Sequence, residues 1–137
     1  MVRLIMGANG AGKTKQLIDL IHSAVESENG SVVCIELGRK MMFDISRNVR
    51  LVEAGEFPFG GYEFLKGFIG GLYASNYDLT HVFIDSLCKI IPSEPDSPEV
   101  EEFLAWLSKF AEKNNIKFTI TISADVALAT EAMKAYF

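Results

Sequence analysis

The hydrophobic pattern of the chain alternates between two periods. Short runs of consecutive apolar residues, many of them β-branched, predict buried strands. Between these runs, apolar residues recur every three or four positions, as they do on one face of a helix. The predicted strands are Val2–Met6, Ser31–Glu36, Thr80–Ile84 and Ile116–Ile122.

The segments between the strands are predicted to be mainly helical. Three helices begin near Lys13, after the Phe57–Gly61 break and near the Asp96–Ser97 cap, and a last one begins near Ala124. The segment Gly38–Gly55 is interpreted as a loop that leads into a short helix. Strands that alternate with helices predict a mostly parallel sheet covered on both faces, which is an α/β, three-layer αβα sandwich.

Length and composition restrict the interpretation to one soluble domain covering residues 1–137. Hydrophobic residues make up 49% of the chain, and no apolar run approaches the roughly 18 residues that a membrane-spanning helix needs. The net charge of −5, together with an acidic stretch after Ser93, argues against broad binding to DNA or RNA. Two widely separated cysteines, Cys34 and Cys88, favour buried thiols in a reducing cytoplasm.

A glycine-rich segment between the first strand and the first helix carries the clearest chemical signal. It matches G-x-x-x-x-G-K-[ST] through Gly7, Ala8, Asn9, Gly10, Ala11, Gly12, Lys13 and Thr14, with Lys15 directly after it. Such a loop can turn its backbone N–H groups toward phosphate oxygens, while the lysine reaches the β- and γ-phosphates and the threonine hydroxyl binds Mg²⁺. The alternative is a strand–helix turn with an exposed lysine. The strand before the motif and the amphipathic helix after it favour the phosphate-binding interpretation.

Asp85 is the candidate second ligand for the metal. It ends the buried run His81–Ile84, which is the form of a Walker B element, and an aspartate there can hold a Mg²⁺-bound water near Thr14. The alternative is an aspartate that merely stabilises a turn. Ser86 follows Asp85, where many hydrolysing relatives carry a glutamate, so a general base has to come from elsewhere.

Taken together, these motifs resemble the RecA-like group of P-loop ATPases, which includes recombinases, circadian-clock ATPases, replicative helicases and, more distantly, secretion and twitching-motility ATPases. The resemblance rests on the glycine-rich loop, on Glu36 at the end of the second strand and on Val82–Leu87, in that order. It implies the P-loop nucleoside triphosphate hydrolase fold, with the Ile116–Ile122 strand between the first strand and the Thr80–Ile84 strand.

The resemblance also implies roles for individual residues. Glu36 would position the attacking water, so that Lys13, Glu36 and Asp85 form the catalytic set, and Thr121 or Ser123 would lie near the γ-phosphate. Read without the resemblance, Glu36 is an exposed strand-end carboxylate or a partner for Arg39.

Two further segments leave alternatives open. Arg39, Arg47 and Arg50 are three of the four arginines, and they form either a solvated basic face or a source of an arginine finger for a neighbouring copy. The aromatic and glycine-rich segment 57–77 is either core packing under a helix or a partner surface or lid, and its glycines suggest close backbone packing or mobility.

The sequence therefore predicts a cytoplasmic protein that binds ATP with Mg²⁺ and hydrolyses it slowly to ADP and phosphate. The alternatives are a nucleotide-binding regulatory or assembly module without turnover and a small-molecule kinase. Because the nucleotide-binding core uses nearly the whole chain, we expect the work driven by ATP to need another copy or a protein partner.

Overall fold

The computed structural model describes all residues from Met1 to Phe137 and confirms the α/β class with a parallel sheet. The strands are β1 (Val2–Gly7), β2 (Ser31–Glu36), β3 (Val49–Glu53), β4 (Leu79–Ile84) and β5 (Lys117–Ser123). The helices are α1 (Lys13–Ser27), α2 (Tyr62–Ser75), α3 (Leu87–Ile90), α4 (Pro98–Asn114) and α5 (Glu131–Lys134). No helix is both long enough and apolar enough to cross a bilayer.

The five strands form one sheet in the order β1-β5-β4-β2-β3, and every neighbouring pair is parallel. β5 therefore lies between β1 and β4, which is the order that the resemblance implies. At the carboxyl edge, Gly7 lies opposite Ser123, and Ile84 lies opposite both Ile120 and Ile35. β1 and β5 therefore run two or three residues past the ends of β2 and β4, and the residues that follow these four strands lie at one edge of the sheet.

The prediction for Gly38–Gly55 was right for the loop, which runs to Asn48, and wrong for the short helix, because the loop leads into β3. β3 pairs with β2 from Val49 opposite Val32 to Glu53 opposite Glu36, and a 3₁₀ turn follows it at Ala54–Glu56. The strand is only five residues long and lies at the edge of the sheet. Only Val49 and Val52 of its five residues are buried, so its sequence lacks the apolar run that identifies the central strands.

The chain after β5 also differs from the prediction. In place of one helix from Ala124, there is a 3₁₀ turn at Val126–Leu128 and then the single-turn helix α5. Asp125 and Thr130 each accept a hydrogen bond from a backbone N–H two or three residues ahead, so each begins a new element. Two such caps within six residues divide the segment.

Helices cover both faces of the sheet, which is compatible with a three-layer sandwich. On one face, Leu17 and Ile21 of α1 pack with Cys34 of β2 and Phe83 of β4. On the other face, α2 and α4 cover the side chains of alternate strand residues, and this larger cluster includes Leu65, Ile69, Phe103, Leu104, Ile35, Ile84 and Ile120. The residues that point toward α1 are thus set by the period of two along each strand.

A buried polar network fixes α1 at the amino end of the sheet, far from the carboxyl edge. Nδ1 of His81 lies 2.9 Å from Oε2 of Glu28, and Nε2 lies 2.9 Å from Oγ1 of Thr119. The imidazole also stacks on Phe83. Burial lowers the pKa of His81, and Glu28 partly offsets this shift. The network joins the end of α1 to β4 and β5.

Segment 57–77 forms α2 and a cluster of aromatic rings, and it packs as part of the core. Tyr62, Leu65 and Ile69 are buried, and Phe59 and Phe68 pack against the main cluster. The expected close backbone packing at the glycines is absent, because a Cβ atom at Gly67, Gly70 or Gly71 would meet no atom within 4 Å.

The open space around Gly71 leads to a stability prediction. Gly71→Ala should raise the free energy of unfolding by about 0.5–1 kcal/mol, because alanine lowers the entropy of the unfolded chain and no atom obstructs its methyl group. Denaturant unfolding would measure the change. In the control Gly30→Ala, the new Cβ would clash with Thr80 and with the carbonyl of Asp78, so that variant should be less stable. A less stable Gly71→Ala protein would contradict the prediction.

Candidate functional site

Polar side chains collect at the carboxyl edge on the face of the sheet that α1 covers. Along β2 and β4, the period of two places Glu36 and Asp85 on the same face as Cys34 and Phe83, which contact α1. Thr121 of β5 contacts Asp85 on that face. The site is therefore built where the apolar alternation of the strands gives way to polar residues at their ends.

The Gly7–Thr14 loop joins the end of β1 to the start of α1. Gly10 and Gly12 have φ angles of 86° and 84°, a left-handed conformation that strains other residues. No side chain caps the start of α1, and its first turn contains no acidic residue. The first N–H groups of the helix are therefore free of side-chain partners, and the positive end of the helix dipole lies at this loop.

Lys13 lies on the first turn of α1 and points back across the loop. Its side chain is buried, and Nζ donates a hydrogen bond of 2.9 Å to the carbonyl of Ala8. Burial lowers the pKa of Lys13; Asp85 acts in the opposite direction and Lys89 lowers it further. The ammonium group thus lacks a close anionic partner in the protein, and an anion bound beside it would stabilise its charge.

A shared hydroxyl anchors Asp85. Oγ1 of Thr121 donates to Oδ1 of Asp85 at 2.6 Å and accepts from the N–H of Ser86 at 2.7 Å. The N–H of Asp85 donates to the carbonyl of Ile35, which continues the β2 pairing by one residue. Ser86 has a φ of 58° and a ψ of 61°, a left-handed conformation that costs a non-glycine residue about 1–3 kcal/mol. These bonds therefore hold a strained turn that fixes the direction of the Asp85 carboxylate.

Between the loop and Asp85 lies a cleft of about 310 Å³ that has no apolar side chain in its lining. The lining comprises Asn9, Gly10, Gly12, Lys13, Thr14, Lys15, Lys40, Asp85, Ser86, Lys89 and Ser123. Four lysines thus face a single carboxylate. In a protein with a net charge of −5, this is a local concentration of positive charge suited to a polyanion.

Two oxygen groups in the cleft fit a magnesium ion. The hydroxyl of Thr14 and Oδ2 of Asp85 make no hydrogen bond to the protein, and both residues line the cleft. Mg²⁺ usually takes few protein oxygens and completes its octahedron with water and substrate phosphates. The two predicted metal residues, Thr14 and Asp85, are therefore brought together.

Glu36 lies level with Asp85 at the edge of the sheet, but its carboxylate is fully buried and does not line the cleft. Its two oxygens accept hydrogen bonds from the N–H groups of Lys40 and Met41, at 3.1 and 3.3 Å. Burial raises the pKa of Glu36, Asp85 and Glu53 raise it further, and the two N–H groups act against the shift. Glu36 is thus neither exposed nor paired with Arg39, and it holds the turn that carries Lys40.

The three clustered arginines do not line the cleft. Arg39 pairs with Glu56 at the surface, and Arg47 and Arg50 are exposed. The sequence interpretation missed Lys40 and Lys89, which do line it. Their positions in the sequence could have indicated this. Lys40 lies four residues after Glu36 and Lys89 lies four residues after Asp85, so both follow strands that end at this edge.

The chain was compared with protein families and with curated proteins. No family model matches it, and no curated protein is significantly similar to it.

The shared hydroxyl leads to a second prediction. Thr121→Val should lower the free energy of unfolding by about 1–3 kcal/mol, because it leaves the buried N–H of Ser86 and Oδ1 of Asp85 without their partner. Urea unfolding of purified variants would measure this, and Thr121→Ser should recover most of the loss.

Thr80→Val is the matched control for that experiment. Thr80 is only partly buried, and its hydroxyl makes one long contact of 3.4 Å with the carbonyl of Ser31 at the far end of the sheet. The same substitution there should cost much less. Equal stability losses at the two positions would argue against a special role for Thr121.

Proposed function

We propose that this protein binds a nucleoside triphosphate, with ATP as the expected ligand, together with Mg²⁺ in the lysine-rich cleft, and that its fold is that of a P-loop nucleoside triphosphate hydrolase. The observation that carries the proposal is the Gly7–Thr14 loop. It joins a buried strand to an uncapped helix and presents Lys13 to the cleft that Asp85 also lines. The resemblance to RecA-like ATPases supports the same function.

The phosphate chain would lie along the loop and the start of α1. The free N–H groups there are hydrogen-bond donors, and the helix dipole favours negative charge. Lys13 would exchange its bond to the Ala8 carbonyl for the β- and γ-phosphates, and the negative charge of the phosphates would raise its lowered pKa. Lys15, Lys40 and Lys89 supply further positive charge at the rim.

Thr14 and Asp85 would hold the metal ion, Thr14 through its hydroxyl and Asp85 through a bound water. Bound Mg²⁺ neutralises charge on the phosphate oxygens. Thr121 and the strained Ser86 turn keep the Asp85 carboxylate in place while the phosphates enter. Thr121 is thus a positioning residue in this proposal, and Ser123 lines the cleft directly.

For the reaction, we propose slow hydrolysis of ATP to ADP and phosphate, with Glu36 as the residue that positions water. To reach the cleft, the Glu36 carboxylate would have to release the N–H groups of Lys40 and Met41. This requirement favours low turnover. It also supports a second candidate function, a nucleotide-binding module without turnover, because Asp85 is the one carboxylate that lines the cleft.

A cytoplasmic location and a partner copy are also part of this proposal. The two free cysteines support a reducing, cytoplasmic environment. The exposed arginines Arg47 and Arg50 are available to a neighbouring copy, so a homo-oligomer in which one copy completes the site of the next remains part of the proposal.

Nucleotide binding is tested most directly at Lys13. Lys13→Ala should abolish detectable binding of ATP with Mg²⁺ in isothermal titration calorimetry, because the loop then loses the cation that pairs with the β- and γ-phosphates. Lys109→Ala, which removes an exposed lysine from α4 outside the cleft, should leave the affinity unchanged. Unchanged ATP affinity in Lys13→Ala would refute the proposed binding mode.

Turnover is tested at Glu36. In single-turnover measurements with excess protein, Glu36→Gln should slow hydrolysis by about 100-fold or more, because glutamine cannot take a proton from water. ATP affinity should change far less, since the glutamine oxygen can still accept one of the two N–H bonds that hold the turn of Lys40. Glu53→Gln is the control, since Glu53 is the next carboxylate along the same edge. Full activity in Glu36→Gln would remove Glu36 from the mechanism. An absence of product with the unaltered protein would favour the module without turnover.

A further inference from the structure

Two carboxylates follow neighbouring strands at the carboxyl edge, but only one of them faces the cleft. β2 and β4 pair with Ile35 opposite Ile84, so Glu36 and Asp85 leave the sheet at the same level. Asp85 lines the cleft, whereas Glu36 is fully buried and does not. The protein thus keeps a second carboxylate beside the cleft and out of contact with it.

Only backbone groups hold the Glu36 carboxylate in this position. Oε1 accepts a hydrogen bond of 3.1 Å from the N–H of Lys40, and Oε2 accepts one of 3.3 Å from the N–H of Met41. Burial raises the pKa of Glu36, and these two N–H groups act against that shift. The position of the carboxylate therefore depends on the position of one turn of the backbone.

Lys40 connects that turn to the cleft. Its N–H binds Glu36, while its side chain lines the cleft together with Lys13 and Thr14. Lys40 is exposed, and its ammonium group has no ion-pair partner in the protein. An anion in the cleft is therefore free to attract this ammonium group. Because the N–H and the side chain belong to the same residue, a shift of the side chain acts on the bond to Glu36.

The turn can shift without unfolding its surroundings. Residues Leu37–Lys40 are exposed and belong to no helix or strand, and Gly38 has a left-handed φ of 90°. Their one side-chain bond is an ion pair between Arg39 and Glu56 at the surface, where such pairs contribute little to stability. The next side chain, that of Met41, is fully buried in the cluster under α1. Movement is thus confined to the few residues between β2 and this anchor.

We propose that Lys40 is the positioning residue that releases Glu36 when phosphates enter the cleft. The phosphates attract the Lys40 ammonium group, the N–H groups of Lys40 and Met41 separate from the carboxylate, and Glu36 turns toward the cleft. The proposal rests on the proposed function, because it needs a phosphate chain bound beside Lys13. It makes the availability of Glu36 depend on an occupied cleft, so that the carboxylate stays buried in the unliganded protein.

Hydrogen exchange at the Met41 amide tests the release directly. Measured by NMR, this exchange should become roughly tenfold faster or more when the unaltered protein is saturated with ATP and Mg²⁺, because the amide loses its bond to a carboxylate. Lys40→Gln keeps the N–H and removes the charge. The Met41 amide of that variant should be as protected as in the unaltered protein without ATP and should stay protected with ATP bound. Lys40→Arg should restore the faster exchange.

A comparison of rate with affinity gives a second measurement. At saturating ATP, Lys40→Gln should lower the single-turnover rate of hydrolysis by about tenfold or more. Its Kd for ATP, from isothermal titration calorimetry, should rise less than about fivefold, because one exposed charge contributes little to binding. A lysine with a merely structural role would not separate the two quantities, and one that only bound ATP would change the Kd alone.

Lys89→Gln is the matched control. Lys89 also lines the cleft, but its N–H donates to the carbonyl of Ser86 and not to a carboxylate. At saturating ATP, that variant should still show the faster exchange at Met41. If ATP binds but leaves the Met41 amide protected in the unaltered protein, or if Lys40→Gln shows the same faster exchange, the release by Lys40 is refuted while nucleotide binding stands. If ATP does not bind the unaltered protein, the proposed function fails together with this inference.

Discussion

The structure of the carboxyl edge depends on the hydroxyl of Thr121, which hydrogen-bonds both residues that follow β4. β4 and β5 are mostly buried, but beyond Asp85 the chain leaves the sheet and its backbone loses its regular partners. Thr121 supplies one acceptor and one donor there, to the N–H of Ser86 and to the Asp85 carboxylate. A buried carboxylate and a left-handed serine are both unfavourable alone. Bonded through one hydroxyl, they form a stable turn that directs a charge into the cleft.

The distribution of charge around this turn is the second constraint. The protein carries a net charge of −5, yet four lysines line the cleft beside one carboxylate. Burial lowers the pKa of Lys13, Asp85 partly offsets this shift, and Lys89 lowers the pKa further, so the charged form of Lys13 is disfavoured in the unliganded cleft. A bound polyanion favours that charged form. Ligand binding and stability should consequently be linked in this protein.

Sequence reasoning could predict one part of this site and not another, for physical reasons. The loop and Asp85 were predictable because their chemistry depends on neighbours in sequence: glycines with positive φ, a lysine at a helix start and a carboxylate at a strand end. β3 was not, because its five residues mix charged Arg50 and Glu53 with apolar residues, whereas β1, the other edge strand, carries an apolar run. The sequence places Lys40 and Lys89 shortly after strand ends, but whether their side chains enter the cleft depends on how the turns fold. The hydrogen bonds that bury Glu36 depend on the same folding.

The same distinction separates the carboxyl edge of the sheet from the outer edge of β1. The carboxyl edge is built from strand ends whose positions are set by the parallel register, and its loop is marked by a motif. The outer edge of β1 is flanked by a 3₁₀ turn and by the residues after a four-residue helix, which are attached to the sheet through few hydrogen bonds. Such elements tolerate substitution and movement better than a central strand does. Sequence changes at this edge should therefore leave the Gly7–Thr14 loop in place.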